Sequence, residues 1–163
     1  MGRIVVGVDG SRESMAALEW AVEEARYRGA VVETVYVFEN TPSYRIYGSQ
    51  QSATARDSGR GVRERPDTRQ AAEPVRAAHE DLASMVDRLE HAHDVELESI
   101  MVEDRHPEHV LVERSEGAEM LVVGSHGRGR VPEMLLGSVS HHCAVHALCP
   151  VVIIRAPRGD GGR

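Results

Sequence analysis

Apolar runs alternate with segments of helical spacing along most of this chain, and that alternation restricts the fold more than any other feature. Residues 3–9, 30–38 and 119–124 are nearly continuous in apolar side chains, as in strands buried on both faces. The alternating run 95–102 and a last run, from Val151 to Arg155, complete five predicted strands. Because strands that alternate with helices form parallel sheets with right-handed crossovers, we predict an α/β fold with helices on both faces of the sheet.

Capping residues indicate where the helices begin and end. Ser11 precedes the first helical segment as an N-cap and Gly29 follows it as a C-cap. Pro74 and Pro107 suit the first turns of the second and third helices. The fourth helix is predicted over residues 138–147.

A polar stretch at residues 41–73 interrupts the pattern. It has few large apolar side chains, and it holds six Arg against four acidic residues. Such a segment buries too little apolar surface to offset the entropy of ordering. We therefore predict a single domain at residues 1–155 that contains a flexible insertion at about 41–73, followed by a disordered tail at 156–163.

Composition and charge exclude several classes of protein. A net charge of −7 over 163 residues argues against nucleic acid as a partner. No apolar run approaches the roughly 20 residues that cross a bilayer, and the first residues do not resemble a signal peptide, so we predict a cytoplasmic protein without a membrane partner. All 19 basic residues are Arg, which excludes the lysine-dependent chemistry of P-loops, kinases and Schiff bases.

Glycine residues cluster after the fourth predicted strand. Gly124 and Gly127 lie three residues apart, and Gly137 precedes Ser138 where the fourth helix is predicted to begin. Glycine permits a positive φ and allows a ligand to approach the backbone closely. The unpaired N–H groups at a helix start favour an anion. The stretch therefore predicts a polyphosphate site that needs no lysine.

Polar side chains around these glycines support the same interpretation. The hydroxyl groups of Ser138 and Ser140 can donate hydrogen bonds, and Arg128 and Arg130 can offset phosphate charge on an acidic protein. The alternative is that the glycines form two tight turns and nothing more.

The spacing of Gly124, Gly127, Gly137 and Ser138 resembles the nucleotide-binding signature of the universal stress protein family. "IVVGVDGS" near the start and "LLGSVSHHCAVHALCPVVIIR" near the end also resemble that family. The resemblance covers roughly residues 3–38 and 74–155. It implies a five-stranded parallel sheet in the order 3-2-1-4-5, of the adenine nucleotide alpha hydrolase-like type. It also implies a homodimer, and ATP, alone or with Mg²⁺, bound between the ends of the first and fourth strands.

The same resemblance implies a set of nucleotide-binding residues. Asp9, Gly10 and Ser11 would lie near the adenine and ribose, and Val37 would contact adenine through its backbone. The remaining residues would line the ribose and phosphates. They are Asp9, Gly10, Ser11, Val37, Gly124, Ser125, His126, Gly127, Arg128, Gly137, Ser138, Val139 and Ser140.

Two positions depart from the family pattern, and one cluster invites another interpretation. Arg105 stands where the family often has glycine, and Tyr36 stands where histidine is common; we expect Arg105 to affect the adenine side of the pocket. A second cluster resembles a zinc site, but we interpret it as packing at a helix–strand junction and predict no metal site. Its members are His142, Cys143, His146 and Cys149.

Three functions are compatible with these residues. The favoured one is an ATP-binding regulatory module of the stress response with no catalytic residue. The second is a slow ATP hydrolase or phosphotransferase that uses Asp9, Ser138 or His126. The third is a dimerising interaction protein with an incidental nucleotide. We predict that the last strand, from Val151 to Arg155, forms the dimer contact, because an exposed apolar edge favours pairing with another chain.

Overall fold

The computed structural model describes residues 2–39, 73–89, 94–128 and 135–156. Strands and helices alternate along the chain as the apolar pattern predicts. The elements are β1 (Arg3–Val8), α1 (Arg12–Arg28), β2 (Val31–Phe38), α2 (Glu73–Asp87), β3 (Leu97–Glu103), α3 (Pro107–Arg114), β4 (Met120–Gly124), α4 (Ser138–His146) and β5 (Val151–Ile154).

All five strands are parallel and lie in the order β3-β2-β1-β4-β5. The predicted fold class and strand order are therefore confirmed. The chain builds outward from β1 to β2 and β3 on one side, then crosses to β4 and β5 on the other. The direction of winding reverses between β1 and β4, and ligands of open α/β sheets bind outside the carboxyl ends of the strands at such a point.

The sheet separates two hydrophobic cores. Successive residues of a strand point to opposite faces, so Ile4 and Val6 pack with α1 and α2, whereas Val5 packs with α3 and α4. Helices α3 and α4 also contact each other. The two helices that cover this second face are the ones that frame the cleft described below.

The predicted caps of α1 are confirmed. Ser11 Oγ accepts a hydrogen bond from Ser14 N at 3.2 Å, and Gly29 takes the left-handed conformation with φ of 63°. Strand and helix ends differ from the predicted ones by one or two residues. For example, β1 ends at Val8, and Asp9 belongs to the following turn, where its Oδ1 accepts from Ser11 N.

Parts of two predicted regions fall outside the described residues. These are 41–72 of the insertion and 157–163 of the tail, whereas Glu73 belongs to α2. Within the described ranges, no helix combines the length and apolar character that crossing a membrane requires.

Candidate functional site

A cleft of about 560 Å³ opens at the carboxyl ends of β1 and β4, within the size range of small-molecule sites. It lies at the point where the winding of the sheet reverses. Most of the residues predicted from the sequence line it: Asp9, Val37, Gly124, His126, Gly127, Arg128, Gly137, Ser138, Val139 and Ser140. Gly10, Ser11 and Ser125 do not line the cleft.

One part of the cleft is apolar and was missed by the sequence reasoning, apart from Val37. Val35 and Val123 contribute from β2 and β4, and Pro107 and Leu111 contribute from α3. Gly7 also lines this part. A Cβ atom at Gly7 would lie 2.8 Å from Leu111 Cδ1, so a larger residue would crowd Leu111. The alternation of side chains along the strands could have indicated this face of the sheet. The position of Leu111 could not be predicted, because it depends on how α3 packs. The apolar part can accept a flat, weakly polar group.

The N-terminus of α4 provides the polar part of the cleft. The first bond within this helix runs from His141 N to Gly137 O at 2.9 Å, so the N–H groups of residues 138–140 have no partner within the helix. Gly137 is the N-cap and supplies no capping side chain, in contrast to Ser11 at the start of α1. The helix therefore presents backbone donors and the positive end of its dipole at the cleft.

Asp9 joins the two turns that border the cleft. Its Oδ1 accepts from Ser11 N at 2.9 Å, and its Oδ2 accepts from Arg128 N at 3.0 Å. Burial by itself would raise the pKa of the Asp9 carboxyl, but hydrogen bonds from Ser11, Ser14 and Arg128 outweigh burial and lower the pKa. Asp9 is thus an ionised link between the turn after β1 and the turn after β4.

Ser125 and Ser140 use their polar groups to hold the loop before α4. Ser140 Oγ lies 2.9 Å from Ser125 O and 3.0 Å from Gly137 O. Gly137 N donates to Ser125 O at 2.7 Å, and Ser125 Oγ lies 3.2 Å from His126 Nδ1. Of the two hydroxyl groups predicted to donate to phosphate, the exposed one of Ser138 can face a ligand. The buried hydroxyl of Ser140 bonds the backbone instead.

Close approach within the protein explains the glycines after β4. Among the described glycines, the ones with positive φ are Gly10, Gly29 and Gly117. A Cβ at Gly124 would lie 2.7 Å from the backbone carbon of Glu13, and one at Gly127 would lie 2.5 Å from Asp9 Oδ2. At Gly137 a Cβ would point to the Cα of His126 at 3.3 Å. Gly124 thus lets the end of β4 approach the first turn of α1, and Gly127 lets the turn after β4 approach Asp9.

Gly10, Ser11 and Arg105 have local roles at the rim. Gly10 has φ of 79° and leaves room for the Arg128 guanidinium, since a Cβ there would lie 2.7 Å from Arg128 Nη2. Ser11 caps α1. Arg105 pairs with Glu39 at 3.0 Å, and both side chains are exposed. Arg105 does not line the cleft.

The cluster of His142, Cys143, His146 and Cys149, which begins on α4 and ends beyond it, divides between surface and core. The rings of His142 and His146 lie 4.4 Å apart between centroids. Cys143 is fully buried, and burial raises the pKa of its thiol to about 11. In the ranges that the structure describes, no three His, Cys, Asp or Glu side chains are grouped so that they could hold a metal ion.

Residues 1–155 match the family model described as the universal stress protein family. The chain belongs to this family. Among curated members, universal stress protein Rv2005c of Mycobacterium tuberculosis (strain ATCC 25618 / H37Rv) is 33% identical over 152 residues, which cover 93% of this chain and 45% of the relative. Universal stress protein Mb2019 of Mycobacterium bovis is 31% identical over 160 residues, covering 95% and 44%. The chain thus spans less than half the length of these relatives.

Solved structures of universal stress proteins share the fold. A universal stress protein in complex with cAMP superposes with a TM-score of 0.64 at 23% identity, covering 95% of this chain and 97% of the other. An Arabidopsis thaliana family member with AMP bound gives a TM-score of 0.61 at 22% identity, covering 98% and 94%. At these identities the likeness establishes the architecture alone.

Proposed function

We propose that the cleft binds an adenine nucleotide, specifically ATP, and that the chain acts as a nucleotide-dependent regulatory module of the stress response. The observation that carries this proposal is the uncapped N-terminus of α4, which opens onto a cleft whose other part is apolar. Apolar walls suit a purine ring, and free backbone donors at a helix start suit phosphate. Both occur within one cavity of about 560 Å³.

The phosphate end would be bound by backbone donors and one cation. Ser138 and Val139 contribute backbone N–H groups, and Arg128 contributes its guanidinium. Asp9 holds the main chain of Arg128 in place. The two Asp9 oxygens already accept N–H groups. Mg²⁺, where it accompanies ATP, would be held mainly by the nucleotide phosphates, because both Asp9 oxygens are engaged in holding the turns.

Structural neighbours support the choice of ligand class. Two family members with the same architecture are described in complex with cAMP and with AMP. Turnover forms no part of this proposal. The Asp9 carboxylate, the strongest candidate for a base, has a lowered pKa and both oxygens engaged by backbone donors, so it is a poor proton acceptor at neutral pH.

Calorimetric titration of ATP into the purified protein tests this function. We expect one ATP per chain, and we expect Arg128→Ala to weaken binding more at low salt than at high salt, because an exposed charge is screened as ionic strength rises. Mass spectrometry of small molecules released from the untreated protein should detect an adenine nucleotide. A folded protein that binds neither ATP nor AMP would contradict the proposal.

We also propose a homodimer through β5. This strand lies at the edge of the sheet, and its four apolar residues are only half-buried. Val145 and Leu148, in the segment that leads to it, are 61% and 66% exposed. An apolar edge of this kind favours a second copy, and the length of the curated relatives leaves room for a second unit of this size.

Sedimentation measurements test the dimer. We expect about twice the chain mass of 17.9 kDa for the wild type at micromolar concentration. Leu148→Glu should shift the protein towards the monomer, because it adds charge to the exposed apolar surface. Tyr27→Glu is the matched control, since Tyr27 is 86% exposed on α1. A monomeric wild type would contradict this part of the proposal.

A further inference from the structure

Three polar side chains from distant parts of the chain meet beside the cleft. Asp81 of α2 lies between Tyr36 of β2 and Arg128 of the turn after β4. Its Oδ2 accepts from Tyr36 Oη at 3.2 Å and lies 3.4 Å from Arg128 Nη2. The cation that the proposed function assigns to phosphate is thus paired with a carboxylate in this structure.

The two contacts of Asp81 differ in strength. Tyr36 is 7% exposed, and burial raises the pKa of its phenol, so the hydroxyl stays protonated and donates to Asp81. The side chains of Arg128 and Asp81 are 60% and 48% exposed, and ion pairs of that kind are weak. Tyr36 therefore anchors Asp81, whereas the Arg128 guanidinium is held loosely.

The main chain of Arg128 is held in place, whereas most of its side chain is exposed. Asp9 holds the Arg128 N–H at 3.0 Å, which keeps the residue at the rim of the cleft. The guanidinium lies over Gly10, where a Cβ atom would come within 2.7 Å of Nη2. Because the Arg128 side chain is 60% exposed and its pair with Asp81 spans 3.4 Å, a bound anion can compete for the guanidinium without displacing the backbone.

We propose that Asp81 is a specificity-determining counter-ion that competes with phosphate for Arg128. This inference rests on the proposed function. A ligand gains Arg128 only if its phosphate groups attract the guanidinium more strongly than Asp81 does. The cleft therefore favours nucleotides with a highly charged phosphate chain over uncharged nucleosides, and Asp81 sets the threshold. Tyr36, one of the two departures from the family pattern, is the residue that holds Asp81 in place.

A double-mutant cycle tests this competition. ATP and adenosine are titrated into the wild type, Asp81→Asn, Arg128→Ala and the double variant. Asp81→Asn should tighten ATP binding about two- to fivefold, the factor that corresponds to an exposed ion pair. The gain should vanish in the Arg128→Ala background, and adenosine binding should be unchanged throughout. Asp87→Asn, an exposed position at the end of the same helix, controls for the change in net charge.

Each outcome of the cycle decides a separate point. Three results would overturn the competition. The gain in ATP affinity could persist without Arg128, it could equal the gain in Asp87→Asn, or it could extend to adenosine. ATP binding that Asp81→Asn leaves unchanged would do the same and would leave the proposed function intact. A wild type that binds no ATP would overturn the proposed function and this inference together.

Discussion

Replacing Ser138 with Asp is expected to weaken ATP binding about thirtyfold while stabilising the folded protein. Ser138 is the first residue of α4, and that helix has no acidic residue in its first turn. Two like charges about 4 Å apart repel by about 1 kcal/mol in bulk water and by about 4 kcal/mol near a protein surface. Because Ser138 is exposed, we expect an intermediate cost of about 2 kcal/mol, which is about thirtyfold in Kd.

Stability and binding should respond in opposite directions to this substitution. A carboxylate in the first turn of a helix interacts favourably with the dipole, by about 0.3–1 kcal/mol, so thermal unfolding should occur at an equal or higher temperature. Ser138→Asn has nearly the shape of Ser138→Asp without the charge, and it should retain most of the affinity. Wild-type affinity for ATP in a folded Ser138→Asp protein would show that the α4 N-terminus does not bind the phosphates.

Replacing Asp9 with Asn is expected to lower the free energy of unfolding by about 2 kcal/mol at pH 7. The wild-type carboxylate accepts from Ser11 N and from Arg128 N, and a hydrogen bond to a charged group contributes about 1.5–3 kcal/mol. An amide keeps one acceptor oxygen and turns an NH₂ group towards the other donor. Asp104→Asn is the matched control, because Asp104 accepts one backbone N–H in an exposed turn.

The difference between wild type and Asp9→Asn should depend on pH. The folded-state pKa of Asp9 lies below its ordinary value of 3.8, so the stabilisation by the ionised carboxylate is fully present above that value. It is lost as the pH falls through the folded-state pKa. Urea unfolding should therefore give free energies of unfolding for wild type and Asp9→Asn that differ at neutral pH and approach each other near pH 3. A difference that stays constant across this range would contradict the role of Asp9 as an ionised link.

Local spacing in the sequence was enough to predict the fold class. Runs of Val, Ile and Leu predicted the strands, and Ser11 and Gly29 predicted the limits of α1, because burial on both faces and helix capping each depend on a few neighbouring residues. The alternation of these elements then restricted the sheet to parallel pairing. The order of the strands came from the resemblance to the family.

The sequence also indicated where the site lies but not what each residue does there. The glycines near the end of β4 indicated that another group comes close to the backbone there. The group that comes close to Gly127 is Asp9, which lies 118 residues earlier in the chain. The sheet brings their two turns together. Ser140, predicted to donate to phosphate, instead bonds Ser125 O and Gly137 O. Such roles depend on which polar groups become neighbours after folding.

Residue type and local order by themselves determined the strands, the caps and the glycine–serine start of α4, because each depends on a few neighbouring positions. Only the tertiary structure decided the pairing of charges. Glu33 lies in an apolar strand and is 3% exposed, and it is matched by Arg3 at 2.7 Å. Asp81 meets Tyr36 and Arg128 across separations of 45 and 47 residues. No local pattern encodes such contacts, because they form when residues far apart in the chain become neighbours in the folded protein.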